Sequence, residues 1–181
     1  MPAGSLLFIN LSPAGLAHPS LEGRELLGAV RAAGLTPQRV VFELTEPSTV
    51  DAHAVANGAK SLIALGFQIA LDNLGAGRSS TEWVGLVPAH FLKLDPALLL
   101  AARSDPISQA LLQGFCTIAH QTGATVIAEG VEDPETLELL PTLPGPPLPR
   151  LRIEAAQGFG LGALRPRPTT LESTAGEHAV L

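Results

Sequence analysis

The apolar run Ile69-Ala70-Leu71 ends on Asp72 and continues into the loop Asn73-Leu74-Gly75-Ala76-Gly77. A short run of this kind predicts a buried strand over about residues 67–72, and the glycines predict a tight turn after it. A helix that starts at Asp51 precedes the strand, and a short helix over about 79–86 follows it. A strand placed between two helices is typical of a β/α repeat with parallel strands.

Five other apolar runs also finish on a polar side chain and alternate with predicted helices. They end at Asn10, Glu43, Lys93, Glu129 and Gln157, and the fourth strand also reaches Asp95. Parallel strands that alternate with helices place all their carboxyl ends on one face, which carries the active site in β/α barrels. We therefore predict an α/β protein of the TIM-type barrel class with about six β/α units. Because a closed barrel of this class has eight, we expect this one to be incomplete at the N-terminus.

The composition argues against several classes of protein. With a net charge of -6 and scattered Lys and Arg residues, the chain is not expected to bind DNA. Its single cysteine, Cys116, excludes an internal disulfide and a Cys-rich zinc site, and we interpret it as a buried structural thiol. Because we see no signal peptide and no apolar run of about 20 residues, we expect a cytoplasmic protein without a membrane span.

One domain is predicted over residues 1–168, followed by a flexible tail over 169–181, where the sequence becomes polar and loses its periodicity. Residues 141–150 contain five prolines and are not expected to form regular structure. A sheet edge left open by absent strands is a surface for pairing, so a homodimer is a further expectation.

Oxygen donors dominate the predicted strand ends. Oxygen ligands suit a hard divalent cation such as Mg²⁺ or Mn²⁺ rather than zinc. A convergent cluster of carboxylates predicts a bound cation, because like charges at short range repel one another. Lys93 would neutralise part of this charge or hold a water molecule. The donors are Asn10, Glu43, Asp72 and Glu129, with Gln157 as a further neutral oxygen.

Simpler interpretations exist for several of these residues. Asn10 would then belong only to a turn before a helix, and Glu46 and Glu132 would be solvated loop charges. Gly75-Ala76-Gly77 lacks the third glycine of a dinucleotide-binding loop, which disfavours a Rossmann fold. The five histidines show no H-E-x-x-H spacing, so we interpret them as structural or surface residues.

Taken in order, six motifs resemble the EAL domains, bacterial phosphodiesterases that open the cyclic dinucleotide c-di-GMP. The matching segments are F-I-N-L-S (8–12), F-E-L-T-E (42–46), A-L-D-N-L-G-A-G-R-S-S (70–80), L-K-L-D (92–95), A-E-G-V-E (128–132) and Q-G-F (157–159). Six motifs in the family's order are far more specific than any one of them. They disfavour an unrelated metal-dependent barrel enzyme such as an enolase-type lyase.

The resemblance implies a role for each matching residue. Glu129 would contact the metal site and orient the attacking water, Lys93 would support that water, and Glu46 would hold the loop after Asp72. The implied metal positions are Asn10, Glu43, Asp72 and Asn73. The implied nucleotide-side positions are Arg78, Ser79, Asp95, Glu132 and Gln157.

Two departures from the family pattern bear on activity. The glutamate of the motif that names the family is absent, as is the arginine after it, because the match begins at the next strand. Asn73 stands where the family has the second of two consecutive aspartates, which binds the second metal. The amide keeps one carbonyl oxygen but loses the negative charge, so a single weak Mg²⁺ or Mn²⁺ site is expected.

Two functional hypotheses follow from the resemblance. The first is an EAL-like domain of c-di-GMP signalling with impaired or no phosphodiesterase activity, which acts as a nucleotide- or partner-binding module. The alternative is an active Mg²⁺- or Mn²⁺-dependent phosphodiesterase that hydrolyses c-di-GMP to linear pGpG.

Overall fold

The computed structural model describes residues 5–17, 23–45, 51–76, 80–130, 155–156 and 179–180. Its strands are β1 (Leu7–Leu11), β2 (Val40–Leu44), β3 (Gln68–Leu74), β4 (Phe91–Leu94), β5 (Thr125–Ala128), β6 (Ala155–Ala156) and β7 (Ala179–Val180). Its α-helices are α1 (Gly23–Ala32), α2 (Ala52–Ala64), α3 (Ser80–Leu86), α4 (Pro96–Ala101) and α5 (Pro106–Thr122). Two 3₁₀ turns cover Gly15–Ala17 and Pro37–Arg39.

Parallel strands alternate with helices from β1 to β5, which confirms the α/β prediction. β6 lies directly before Gln157, in the last of the six predicted apolar runs, and pairs in parallel with both β5 and β7. β7 falls inside the predicted tail, of which these two residues alone are described. The division of the chain at residue 168 stays a prediction.

The chain packs as two compact units. The first unit contains Pro2–Asp72 and Gly77–His90, and the second contains Asn73–Ala76 and Phe91–Leu181. The boundary therefore passes through β3, between Asp72 and Asn73. None of the described helices is long and apolar enough to cross a membrane.

The core of the first unit forms around β2, whose five residues are all buried. Phe42 in this strand meets Phe67 edge to face, with ring centroids 5.2 Å apart. A strand covered on both faces is expected where helices pack on a parallel sheet. α2 begins where the sequence predicts, because the Asp51 side chain accepts a hydrogen bond from the His53 N–H at 2.9 Å.

The second unit contains the longest of the described helices, α5, which ends at Thr122 with Gly123 as its left-handed C-cap. Its N-cap, Asp105, accepts hydrogen bonds from the Ser108 hydroxyl and backbone N–H, and these bonds lower the pKa of the Asp105 carboxyl. Cys116 is buried, and burial raises its pKa to about 12, so the thiol stays protonated near neutral pH. This confirms the structural interpretation of Cys116.

His90 holds the start of β3 through two hydrogen bonds to Ile69. Its backbone N–H donates to the Ile69 carbonyl at 2.8 Å, and its Nδ1 accepts from the Ile69 N–H at 3.2 Å. Partial burial lowers the pKa of His90, because the charged ring is poorly solvated there. A protonated Nδ1 would also oppose the Ile69 N–H donor, so the neutral ring belongs to the folded state.

We expect the free energy of unfolding to fall as the pH drops below about 6.5, the ordinary histidine pKa, since His90 binds its proton more readily in the unfolded chain. Urea unfolding between pH 7.5 and pH 5 measures this loss. His90→Asn keeps an acceptor near the position of Nδ1 but does not titrate, so its loss should be smaller. His53→Asn, at an exposed histidine of α2, should behave as the wild type. Equal losses in all three proteins would contradict this role of His90.

Candidate functional site

Three predicted ligands lie toward the carboxyl ends of strands in the first unit. Asn10 and Glu43 are register partners across β1 and β2, which places them on neighbouring strands about 4.8 Å apart. Glu43 is in turn the partner of Ala70 on β3, and Asp72 follows two residues later. Because side chains alternate along a strand, Asp72 shares the face of Ala70, about 6.6 Å farther along β3.

Burial differs among these three side chains. Glu43 is only 7% exposed, while Asn10 is exposed. Asp72 is half-buried, and its Oδ1 atom is shielded from solvent. Two carboxylates and an amide are oxygen donors of the kind that Mg²⁺ and Mn²⁺ prefer, so the residues fit a hard divalent cation.

Carboxylate density around this site is low. Among the residues that the structure describes, no three His, Cys, Asp or Glu side chains lie close enough together to hold a metal ion. In the first unit the candidate donors are therefore two carboxylates, Glu43 and Asp72, and the neutral amide of Asn10.

The second unit places Lys93 against Glu129. The Lys93 Nζ lies 2.7 Å from the Glu129 Oε1, and the two side chains are 3% and 15% exposed. Glu129 stands two residues beyond Ile127, the register partner of Lys93. The same offset separates Asp72 from the register partner of Glu43, as expected for tilted strands in a barrel.

This ion pair sets the orientation of the Glu129 carboxylate. A bond of 2.7 Å between two charged groups in little solvent is short and strong. The lysine therefore holds one carboxylate oxygen of Glu129 directly. The sequence predicts both residues at strand ends, but the contact between their side chains is visible in the structure alone.

The second unit contains two further predicted site residues, one near the end of β3 and one directly before α4. Asn73 has a left-handed backbone, with φ of 56°, and its side chain is exposed. Asparagine is one of the few non-glycine residues that adopt this conformation readily. Asp95 is the N-cap of α4, since its Oδ1 accepts from the Ala97 N–H at 2.7 Å. Its predicted nucleotide-side role stays a prediction.

Helix α4 was missed by the sequence analysis. The signal for it was present, because Asp95-Pro96 combines an N-cap residue with proline at the first helical position. Five predicted site residues lie outside the described residues, and their roles stay predictions. They are Glu46, Arg78, Ser79, Glu132 and Gln157.

Comparison with known proteins adds the family. The sequence model of the EAL domain family matches residues 2–159 of this chain. The chain is 29% identical over 168 residues to the bifunctional diguanylate cyclase/cyclic di-GMP phosphodiesterase MucR of Pseudomonas aeruginosa, covering 92% of this chain and 23% of MucR. The chain thus spans less than a quarter of the length of the first curated relatives that it matches.

Two solved structures show the same architecture. The EAL enzyme Bd1971, in its cAMP- and cyclic-di-GMP-bound form, matches with a TM-score of 0.71 and 27% identity over 87% of this chain and 40% of that chain. The manganese and cyclic-di-GMP complex of Klebsiella pneumoniae BlrP1 matches with a TM-score of 0.64 and 32% identity over 73% and 34%. This likeness confirms the predicted TIM-type barrel class. Because the family model spans most of the sequence and the strand-end residues stand in the same order, the chain belongs to the EAL domain family.

Proposed function

We propose that this EAL domain serves c-di-GMP signalling as a nucleotide-binding module that holds one divalent cation weakly and hydrolyses c-di-GMP slowly or not at all. The observation that carries the proposal is Asn73. Its neutral, exposed amide directly follows Asp72, at a position where the family resemblance calls for a second charged ligand. Hard cations lose affinity when a ligand charge is removed.

The choice of ligand rests on the relatives. MucR is named as a cyclic di-GMP phosphodiesterase, and the matching structures of Bd1971 and BlrP1 contain cyclic di-GMP. BlrP1 also contains manganese, which supports Mn²⁺ or Mg²⁺ as the cation here. The predicted protein partner and homodimer stay predictions.

The proposed roles follow from the family resemblance, and the contact between Lys93 and Glu129 supports one part of them. Glu43 and Asp72, with the Asn10 amide, would hold the cation, which when bound polarises a phosphate oxygen. Lys93 holds the Glu129 carboxylate at 2.7 Å and so orients it to accept a proton from an attacking water. Asn73 adds no charge to this arrangement. A cation held weakly stabilises the transition state less, and each tenfold loss of rate corresponds to about 1.4 kcal/mol.

The alternative is an active phosphodiesterase. It is supported by the Lys93–Glu129 pair, because the resemblance implies that both residues act on the attacking water. Incubation with c-di-GMP and Mn²⁺, followed by chromatography of the products, separates the two. We expect most of the c-di-GMP to remain, while calorimetry in Ca²⁺ shows that it binds. Rapid conversion to linear pGpG would establish the active enzyme, and the absence of any binding would overturn nucleotide recognition.

Asn73→Asp should restore the missing ligand charge. We expect Mn²⁺ affinity to rise at least about tenfold and turnover of c-di-GMP to rise with it. Aspartate tolerates the left-handed backbone as asparagine does, so the turn should be preserved. Asn57→Asp adds the same charge on an exposed position of α2 and is the matched control. Titration of Mn²⁺ by calorimetry measures the difference, and equal affinities in both variants would refute the charge argument.

A further inference from the structure

The first turn of α4 lies between two turns, one that follows the candidate site carboxylate Asp72 and one that begins with the candidate site carboxylate Glu129. We propose that Asp95 is a positioning residue: by capping α4 it holds residues 95–98, here called the α4 wedge, against both turns. One turn covers Asn73–Ala76 after Asp72, and the other is Glu129-Gly130. The effect on c-di-GMP binding rests on the function proposed above, whereas the effect on the two turns does not.

On one side, the α4 wedge supports the turn after β3. The Asp95 N–H donates to the Leu74 carbonyl at 3.0 Å. Gly75 has φ of 100°, and a Cβ built on it would lie 2.6 Å from the Leu98 Cδ2. Leu98 is buried, so it has little room to withdraw. The position of Leu98 therefore determines where this turn lies.

On the other side, the α4 wedge supports the turn that carries Glu129. Gly130 has φ of 65°, and a Cβ built on it would lie 2.5 Å from the Pro96 Cγ. The Glu129 N–H donates to the Leu94 carbonyl at 3.2 Å, which extends the pairing of β4 with β5 as far as this turn. Pro96 and Leu94 together therefore fix the position of the Glu129 backbone relative to α4 and β4.

The Asp95 side chain connects these two contacts. Its Oδ1 accepts from the Ala97 N–H at 2.7 Å, with Pro96 at the first helical position. An N-cap bond stabilises the first helical turn, which contains both Pro96 and Leu98. The carboxylate acts here as a hydrogen-bond acceptor for the backbone. An uncharged acceptor of similar size should therefore replace it.

Hydrogen exchange measured by mass spectrometry tests the positioning role directly. In Asp95→Ala we expect exchange to rise about fivefold in peptides that cover both turns, residues 73–76 and 128–130, from the loss of the cap. Asp95→Asn should match the wild type, because asparagine caps as well as aspartate. Asp105→Ala removes the cap of α5 in the same unit and should leave both turns unchanged. Faster exchange confined to residues 95–101 in Asp95→Ala would overturn the proposal.

Calorimetry with c-di-GMP in Ca²⁺ adds the functional readout. We expect about tenfold weaker binding in Asp95→Ala and wild-type binding in Asp95→Asn, since only the first loses the cap. Weak binding in Asp95→Asn at unchanged exchange would show that the charge of Asp95 contacts the ligand, and would overturn the proposal. If neither the wild type nor the variants bind c-di-GMP, but hydrogen exchange rises at both turns in Asp95→Ala, the proposed function fails and the positioning role stands. Should Asp95→Ala not fold, Asp95→Gly takes its place in both measurements, because it also removes the capping side chain but costs the helix less, and unchanged exchange at both turns in that variant would overturn the proposal.

Discussion

Replacing Lys93 with methionine should destabilise the folded protein by about 3 kcal/mol, because it removes a cation that lies against a carboxylate in little solvent. The Lys93 side chain is 3% exposed, and its Nζ lies 2.7 Å from the Glu129 Oε1. Removing one member of such a pair commonly costs about 3–5 kcal/mol. We expect the lower end of that range, since Glu129 keeps 15% of its surface in contact with solvent.

A double-mutant cycle measures the interaction free energy between Lys93 and Glu129 separately from the other contacts of the two residues. Urea unfolding of Lys93→Met, Glu129→Gln and the double variant should give a coupling energy above about 1.5 kcal/mol. The double variant should regain part of the loss, because the Glu129 carboxylate is then no longer present opposite the methionine. Lys60→Met, at an exposed position of α2, should change stability by less than about 0.5 kcal/mol. A coupling energy near zero would show that the pair contributes nothing.

Replacing Glu43 with glutamine should abolish the stabilisation of the protein by Mn²⁺. At a concentration of Mn²⁺ about 100 times its dissociation constant, a bound cation stabilises the folded state by about 2.7 kcal/mol. For a chain of this length that corresponds to a rise in Tm of about 5–10 °C. Glu43 is one of two carboxylates in the donor set of the first unit, so its loss removes about half of the ligand charge.

Thermal unfolding with and without Mn²⁺ checks this result. Glutamine preserves the volume of the side chain in a strand whose residues are all buried, so the variant should still fold. Glu25→Gln makes the same change of charge at an exposed position of α1 and should keep the full Mn²⁺ effect. If Glu43→Gln shows the same rise in Tm as the wild type, the cation does not bind at Glu43.

Prediction from sequence succeeded best for the β-strands and their ends. The runs before Glu43, Asp72 and Lys93 are strands that bring these residues toward their carboxyl ends, as the apolar pattern indicates. Prediction from sequence failed for α4, because a helix of six residues is too short to show a helical repeat of apolar residues. Asp95-Pro96 nevertheless marks its start. The motif indicates a nucleotide-side role for Asp95, which stays a prediction, and the structure adds that its side chain caps this helix.

Apart from α4, the amino-acid sequence alone determined the alternation of strands and helices as far as β5 and the polar residues toward the strand ends, because periodicity and caps act over a few neighbouring residues. The ordered motifs determined the family. Only the tertiary structure decided that Lys93 contacts Glu129, that Leu98 closes over Gly75 and that Pro96 meets Gly130. The members of each of these pairs are more than 20 residues apart in the sequence. Their approach depends on strand stagger and on how closely a glycine backbone lets a helix pack, and neither can be read from local pattern.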